Sequence, residues 1–307
     1  MPAPLPGLVL RSRGGVYDVE VETGMVEAVL RGRLKREPKS GERVVIGDRV
    51  VVAPPERPGE AWTIESVEDR TTALVRRAPG RAPRPKVIVA NVERVVIVFA
   101  VANPDPHFRM LDRFLVLCES SEVTPLIVAN KADLLSPDGA AERFRIYQEI
   151  GYGVLFTSVT TGEGIETLRE VLAHGASALT GPSGVGKSSL LNRLQPGLGL
   201  RVGAVSEAVN KGRHTTVTAE MIRLDGGGYV ADTPGLREIG LWDVPSESLD
   251  TFFPEFEPYL GRCRFGTSCT HSHEPGCLVA QAADAGLIAP SRFGSYLRLL
   301  AGDDQEE

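Results

Sequence analysis

The stretch Gly181-Pro182-Ser183-Gly184-Val185-Gly186-Lys187-Ser188-Ser189 decides how this chain is read. It satisfies Gly-x-x-x-x-Gly-Lys-Ser/Thr, follows a short strand pattern over 178–180 and opens a helical pattern carrying Leu190, Leu191 and Leu194. A phosphate-binding loop requires that setting. Its glycines let backbone N–H groups converge on phosphate oxygens at a helix N-terminus, Lys187 adds a point charge, and Ser188 is placed to ligate magnesium.

Downstream, Asp232-Thr233-Pro234-Gly235 follows a strand-like run over 228–231. Asp232 is expected at a strand end on the magnesium side of the phosphates, with the Gly235 N–H directed at the γ-phosphate. Between the two motifs, Lys211-Gly212-Arg213-His214-Thr215-Thr216 has the polar character of a switch loop. Thr216 is the candidate for a second magnesium ligand, with Thr215 as the adjacent alternative. His214 is the nearby side chain able to orient water or accept its proton. Leu236 stands where many GTPases place a water-orienting glutamine, so intrinsic hydrolysis is expected to be slow.

Upstream lies Asn130-Lys131-Ala132-Asp133, after a buried strand pattern over 124–129. Guanine offers N1–H and N2–H donors that a carboxylate accepts together, which assigns Asp133 to the base. Asn130 adds contacts at the other edge and Lys131 lies along the ring. Ser158, after the next strand, is expected to contribute a backbone contact near the guanine oxygen. In an ordinary GTPase the phosphate loop comes first; here the guanine motif precedes it. Circular permutation preserves a site when the natural ends of a domain lie close together. The permuted order also sends the chain directly from Asp232 into the C-terminal region, so loss of γ-phosphate contacts is expected to move that region.

Strand and helix patterns alternate from about 94 to 180, as expected for a mostly parallel sheet covered on both faces. Before them, residues 1–75 read as short alternating strands punctuated by Gly14-Gly15, Thr23-Gly24 and Pro54-Pro55, the pattern of a five-stranded OB-type barrel. The intervening 76–86, rich in Arg, Pro and Gly, is expected to be a basic linker, either solvated or touching phosphates. After about Trp242 the periodicity weakens. Cys263, Cys269, His271 and Cys277 then crowd together, three thiolates and one imidazole, a set suited to one tetrahedral structural zinc, with His273 as the competing nitrogen. Cys118 stands apart in an apolar helical pattern. The acidic end, 302–307, is expected to be a solubilising tail.

The net charge of −6 gives no global electrostatic case for nucleic acid, so any such contact must come from local basic clusters. No early apolar run has the length of a secretory signal or a membrane span, which makes a cytoplasmic protein the expectation. No acid/base or nucleophile constellation lies outside the nucleotide motifs, which argues against an enzyme acting on a second, small-molecule substrate. A nucleotide-regulated scaffold is the other rival.

Together, the permuted order, Gly-Arg-His-Thr-Thr, Asp-Thr-Pro-Gly and the cluster ending His273-Glu274-Pro275-Gly276-Cys277 resemble the bacterial RsgA family of small-ribosomal-subunit biogenesis GTPases. The resemblance covers almost the whole chain. It implies a multidomain α/β protein: an OB-fold RNA-binding domain (1–75), a circularly permuted GTPase domain (76–242) and a zinc-binding domain with an acidic tail (243–307). It further implies GTP hydrolysis to GDP stimulated by the small subunit late in maturation, with His214 catalytic, Thr216 the switch threonine, and Cys263, Cys269, His271 and Cys277 the zinc ligands. The chain is expected to be a monomer gripping rRNA through Arg11, Arg13, Arg31, Arg33, Lys35, Arg36 and the 76–86 segment. The chain departs from the family pattern in a longer gap between Cys263 and Cys269, and in Ser183 where potassium-activated GTPases carry asparagine.

Overall fold

The computed structural model describes residues 3–32, 44–55, 57, 59–77, 85–200, 220–232 and 246–302. Five strands come first: β1 (Leu5–Arg13), β2 (Val16–Val21), β3 (Gly24–Leu30), β4 (Arg49–Ala53) and β5 (Trp62–Val67). They pair in the order β1-β2-β3-β5-β4, and β4 returns to β1 to close the barrel. All neighbours are antiparallel except β3 and β5. Alternation fills the interior: Tyr17, Val19 and Val21 of β2 point inward with Val9, Ala28, Val50, Val52 and Ile64. The β1–β2 hairpin turns on Gly14 and Gly15, both at positive φ (58° and 91°), the conformation a tight two-residue turn demands.

The register of β1 against β2 shifts between Val9 and Arg11. Before the shift, Leu5 to Leu8 pair with β4; beyond it, Arg11 pairs with Glu220 of β12 (Glu220–Arg223). Across the bulge β1 stays paired with β2 while its other edge passes from β4 of the barrel to β12 of the second domain's sheet. Arg11–Glu220 and Arg223–Glu20 ion pairs flank this seam.

Next comes a hairpin of β6 (Ala73–Arg77) and β7 (Pro85–Ala90). The basic linker expected over 76–86 is therefore shorter than its composition implied. Arg76 pairs with Lys86 and Arg77 with Pro85 in the ladder, while 78–84 lie outside the described residues. The reason is apolar alternation at the flanks: Leu74, Val87 and Val89 are buried and anchor the hairpin.

The second domain contains β8 (Arg94–Ala100), α1 (Phe108–Ser120), β9 (Thr124–Asn130), α2 (Pro137–Ile150), β10 (Gly153–Thr157), α3 (Ile165–Leu172), β11 (Ala176–Thr180), α4 (Lys187–Leu194), β12 and β13 (Tyr229–Asp232). The sheet order is β10-β9-β8-β11-β13-β12, parallel except for β12. Strand β8 is buried on both faces. Val95, Ile97 and Phe99 pack toward α1 and α2, whereas Val96, Val98 and Ala100 pack toward α3 and α4. Strands β8, β9 and β10 step outward one way; β11 returns beside β8, and β13 and β12 step the other way. Ligands bind α/β sheets at the carboxyl ends of strands at such a reversal.

The described C-terminal region has three 3₁₀ segments, Ser246–Phe252, Pro254–Tyr259 and Gly266–Ser268, then α5 (Leu278–Asp284) and α6 (Pro290–Leu300). Its core of Leu249, Phe253, Phe256, Val279, Ile288 and Tyr296 takes in Val116 from α1. A buried charge network completes the junction. Arg292 donates to Asp112 of α1 at 2.8 Å and grips Glu255 through Nε (2.7 Å) and Nη2 (3.2 Å). Asp112 also accepts from Tyr147 at 2.9 Å and from Ser295. Burial raises the Asp112 carboxyl above its ordinary value, against the pull of Arg292. Cys118, in α1, is buried in the main core, and burial pushes its thiol up, which makes it a packing residue. Among the described residues no helix is long and apolar enough to cross a membrane.

Removing one partner of a buried ion pair strands the other charge. Arg292→Ala is expected to lower unfolding stability by about 3–5 kcal/mol in urea denaturation, and Asp112→Ala in that background to cost far less than in wild type.

Candidate functional site

The guanine motif begins at the last residue of β9. Asn130 is 1% exposed; its Nδ2 donates to the Val185 carbonyl of the phosphate loop at 2.8 Å, and its Oδ1 accepts from Thr157 at 3.1 Å. Lys131 takes a left-handed conformation (φ 60°), and its ammonium donates to the Gly184 carbonyl at 2.8 Å and to the Asn103 carbonyl. These two side chains brace the phosphate loop from the end of β9, with β8 lying between that strand and β11. Buried Ala132 opens a 3₁₀ turn that presents Asp133 at the surface, where the Ser158 hydroxyl donates to its Oδ1 at 2.5 Å. A carboxylate so oriented keeps lone pairs on both oxygens for the two donors of guanine.

Ser158 lies beside the guanine motif: its N–H is bonded to the Glu163 carbonyl at 3.0 Å, and its hydroxyl donates to Asp133. Thr157, overlooked in the sequence, fixes which edge of the Asn130 amide faces the loop. A hydroxyl at the end of the strand following the guanine motif is the only signal that pointed to it.

The phosphate loop, 181–189, leaves β11 at the sheet centre. Gly181 (φ 132°) passes so close to β8 that a Cβ there would sit 2.1 Å from the Val98 carbonyl oxygen. At Gly186 (φ 96°) a Cβ would sit 2.5 Å from Asn130 Nδ2. Both positions therefore require glycine, for backbone conformation and for space. Pro182, Ser183 and Gly184 form the outer arc, Val185 is buried beneath it, and Lys187, Ser188 and Ser189 make the first turn of α4. Lys187, 8% exposed, donates to the carbonyls of Gly181 (2.6 Å) and Pro182, so its ammonium lies inside the loop. Asp232 ends β13 opposite Leu179, beside the root of the loop. Asn130 to Asp133, Ser158, 181–189 and Asp232 thus gather at one end of the sheet. His214, Thr215, Thr216, Gly235 and Leu236 lie outside the described residues.

In the C-terminal region the four predicted ligands meet. The donor atoms of Cys263, Cys269, His271 and Cys277 all lie within 4.8 Å of one another, and all four residues are buried. His271 Nδ1 is 3.6 Å from Cys263 Sγ and 3.3 Å from Cys277 Sγ, while those two sulfurs are 4.0 Å apart. Metal–ligand bonds of about 2.0–2.3 Å in a tetrahedron need donor separations of this size. Backbone N–H groups of Leu278 and Ala280 point at the Cys263 and Cys277 sulfurs (3.3 and 3.4 Å), support suited to thiolates. Burial pushes the Cys269 thiol up to about 12, so metal binding there must release protons. His273 is exposed and turned to Ser272, outside the cluster. Glu274 shapes the ligand loop. Burial opposes its charge, but hydrogen bonds from Thr270 and from backbone N–H groups outweigh that and hold its carboxyl down at about 2.

Three of the arginines expected to meet rRNA are engaged with carboxylates: Arg11 with Glu220, Arg13 with Asp18 at 2.9 Å, and Arg31 with Glu65. Arg33, Lys35 and Arg36 lie outside the described residues.

Residues 67–242 match the family model described as RsgA GTPase, and 6–62 the model of the RsgA N-terminal domain. The small ribosomal subunit biogenesis GTPase RsgA of Gemmatimonas aurantiaca is 50% identical over 294 residues, 95% of each chain. Its counterpart from Moorella thermoacetica is 46% identical over 97% of each. Among solved structures, YjeQ from Thermotoga maritima superposes with a TM-score of 0.81 at 34% identity, covering 99% of this chain and 100% of that one. YloQ, a circularly permuted GTPase, gives 0.73 at 26% identity, covering 99% and 97%.

The donor geometry predicts one zinc per chain by elemental analysis after purification without chelator. Cys277→Ser should lose most of that metal and lower the thermal midpoint, and unchanged metal content would contradict the four-residue site.

Proposed function

The chain belongs to the RsgA family and is a GTP hydrolase of ribosome biogenesis, and from that premise we propose that it binds the immature small ribosomal subunit and hydrolyses GTP when the subunit stimulates it. The observation that carries the nucleotide half of this reading is the Asn130–Val185 hydrogen bond, which joins base recognition to the phosphate loop in permuted order. Relatives named small ribosomal subunit biogenesis GTPase support the partner.

In this reading Asp133 selects guanine, with Ser158 aiming its carboxylate. Lys187 shifts from loop carbonyls to phosphate oxygens, and the N–H groups at the start of α4 complete the cradle. Magnesium bound with GTP neutralises charge on the β- and γ-phosphates; Ser188 and Thr216 would hold it, with Asp232 on the same side. Gly235, by its place in Asp-Thr-Pro-Gly, senses the γ-phosphate, and His214 orients the attacking water, the role the family resemblance implies. Without a glutamine at Leu236, the free protein turns over slowly. Zinc, held by Cys263, Cys269, His271 and Cys277, is structural, since four protein donors leave no open position.

The OB-type barrel and the C-terminal region would grip rRNA, mostly through phosphates, so affinity falls steeply with salt. Because Arg11, Arg13 and Arg31 already face carboxylates, Arg33, Lys35, Arg36 and the 78–84 stretch carry more of this role. The protein acts as a cytoplasmic monomer and leaves the subunit after hydrolysis.

GTP turnover measured with and without isolated small subunits, against ATP and large subunits, is expected to show stimulation specific to GTP and the small subunit. Unchanged turnover would remove the subunit as activator while leaving the GTP site standing. His214→Ala should keep GTP affinity and lose the stimulated rate. Lys187→Ala should lose productive GTP binding in equilibrium titration.

A further inference from the structure

The His271 ring lies between two different kinds of group. It is 1% exposed and packs among Phe256 and Tyr296; Nδ1 faces the sulfurs, and Nε2 lies 3.3 Å from Asp250 Oδ2. An imidazole that gives the Nδ1 lone pair to a metal must carry its proton on Nε2, and a buried N–H requires an acceptor. Asp250 supplies the carboxylate at that nitrogen.

We propose that Asp250 is the outer-sphere carboxylate of the metal centre, the positioning residue that holds His271 in the tautomer and orientation needed for ligation through Nδ1. The proposal rests on the zinc reading of the four-residue cluster and extends it to a fifth residue. Asp250 belongs to the Ser246–Phe252 segment, the first described segment after β13, which bears Asp232. Its neighbours Leu249 and Phe253 share a core with Val116 of α1. The carboxylate is therefore carried by a turn docked on a helix of the GTPase domain, not by the ligand loop. Metal occupancy and docking of that turn are consequently linked, and each must favour the other by the same factor.

The test is zinc affinity of the full-length protein by competition with a chromophoric chelator. Asp250→Ala is expected to bind zinc about 10–100-fold more weakly than wild type, the usual cost of losing such a partner. Asp250→Asn, which keeps an acceptor oxygen and the same shape, should lose less, and Glu247→Ala, exposed on the same turn, should match wild type. Zinc removal from wild type should also lower amide hydrogen-exchange protection over 246–253. A wild type with one zinc and an Asp250→Ala variant within twofold of its affinity would overturn the role of Asp250 alone. A wild type that takes up no zinc would overturn the four-ligand reading, and the positioning role with it.

Discussion

The nucleotide site depends on one buried amide. Asn130 stands at the end of β9, yet its hydrogen bonds run to Val185 in the loop after β11 and from Thr157 at the end of β10. Three strand ends are thereby held at fixed spacing by a group that water cannot reach. A buried amide without those partners would carry its full desolvation cost, so the arrangement is enforced from both sides. Gly186 belongs to the same constraint, because any side chain there would collide with Asn130. The amide makes the order of the motifs along the chain immaterial: a permuted backbone can supply the same three ends as long as they meet at this point.

The GTPase sheet is held at two other places, by different physics. On one side the bulged β1 crosses from the barrel into the sheet, so the barrel is joined to β12 through backbone pairing and flanking ion pairs. On the other side Arg292, Asp112 and Glu255 form a dehydrated charge network within an apolar junction that includes Val116. Ladder pairing of this kind is directional and tolerates changes of side chain. The buried network is unforgiving, because each charge is viable only while the others are present. Any movement of the C-terminal region relative to α1 must therefore keep the network whole or let water in.

Much of the site could be read along the chain. Motifs such as 130–133, 181–189 and the Cys/His cluster are contiguous, and each encodes its chemistry in local spacing: glycines for close backbone approach, a carboxylate for two N–H donors, thiolates for a soft cation. The barrel was legible from alternation and Gly-rich turns. What escaped were residues whose roles depend on partners far away in sequence. Thr157, Asp250, Asp112 and Arg292 carry no local pattern, and the Ser158 N–H is committed to Glu163 by a loop path that spacing does not reveal. The linker at 76–86 was overdrawn because its composition concealed the apolar alternation on either side.

The sequence by itself determined the chemistry: a guanine-reading motif ahead of a phosphate loop, three thiolates with one imidazole, and the periodicities of a barrel and an α/β sheet. Those features are short-range, set by which side chains occur within a few residues of one another. Only the tertiary structure decided that β8 and β11 lie side by side at the reversal of strand order, that Asn130 reaches the phosphate loop, that Arg11, Arg13 and Arg31 face carboxylates, and that His271 backs onto Asp250. Those outcomes depend on burial and on pairings between distant segments, where the cost of leaving a polar group unsatisfied selects one arrangement from the many that local patterns permit.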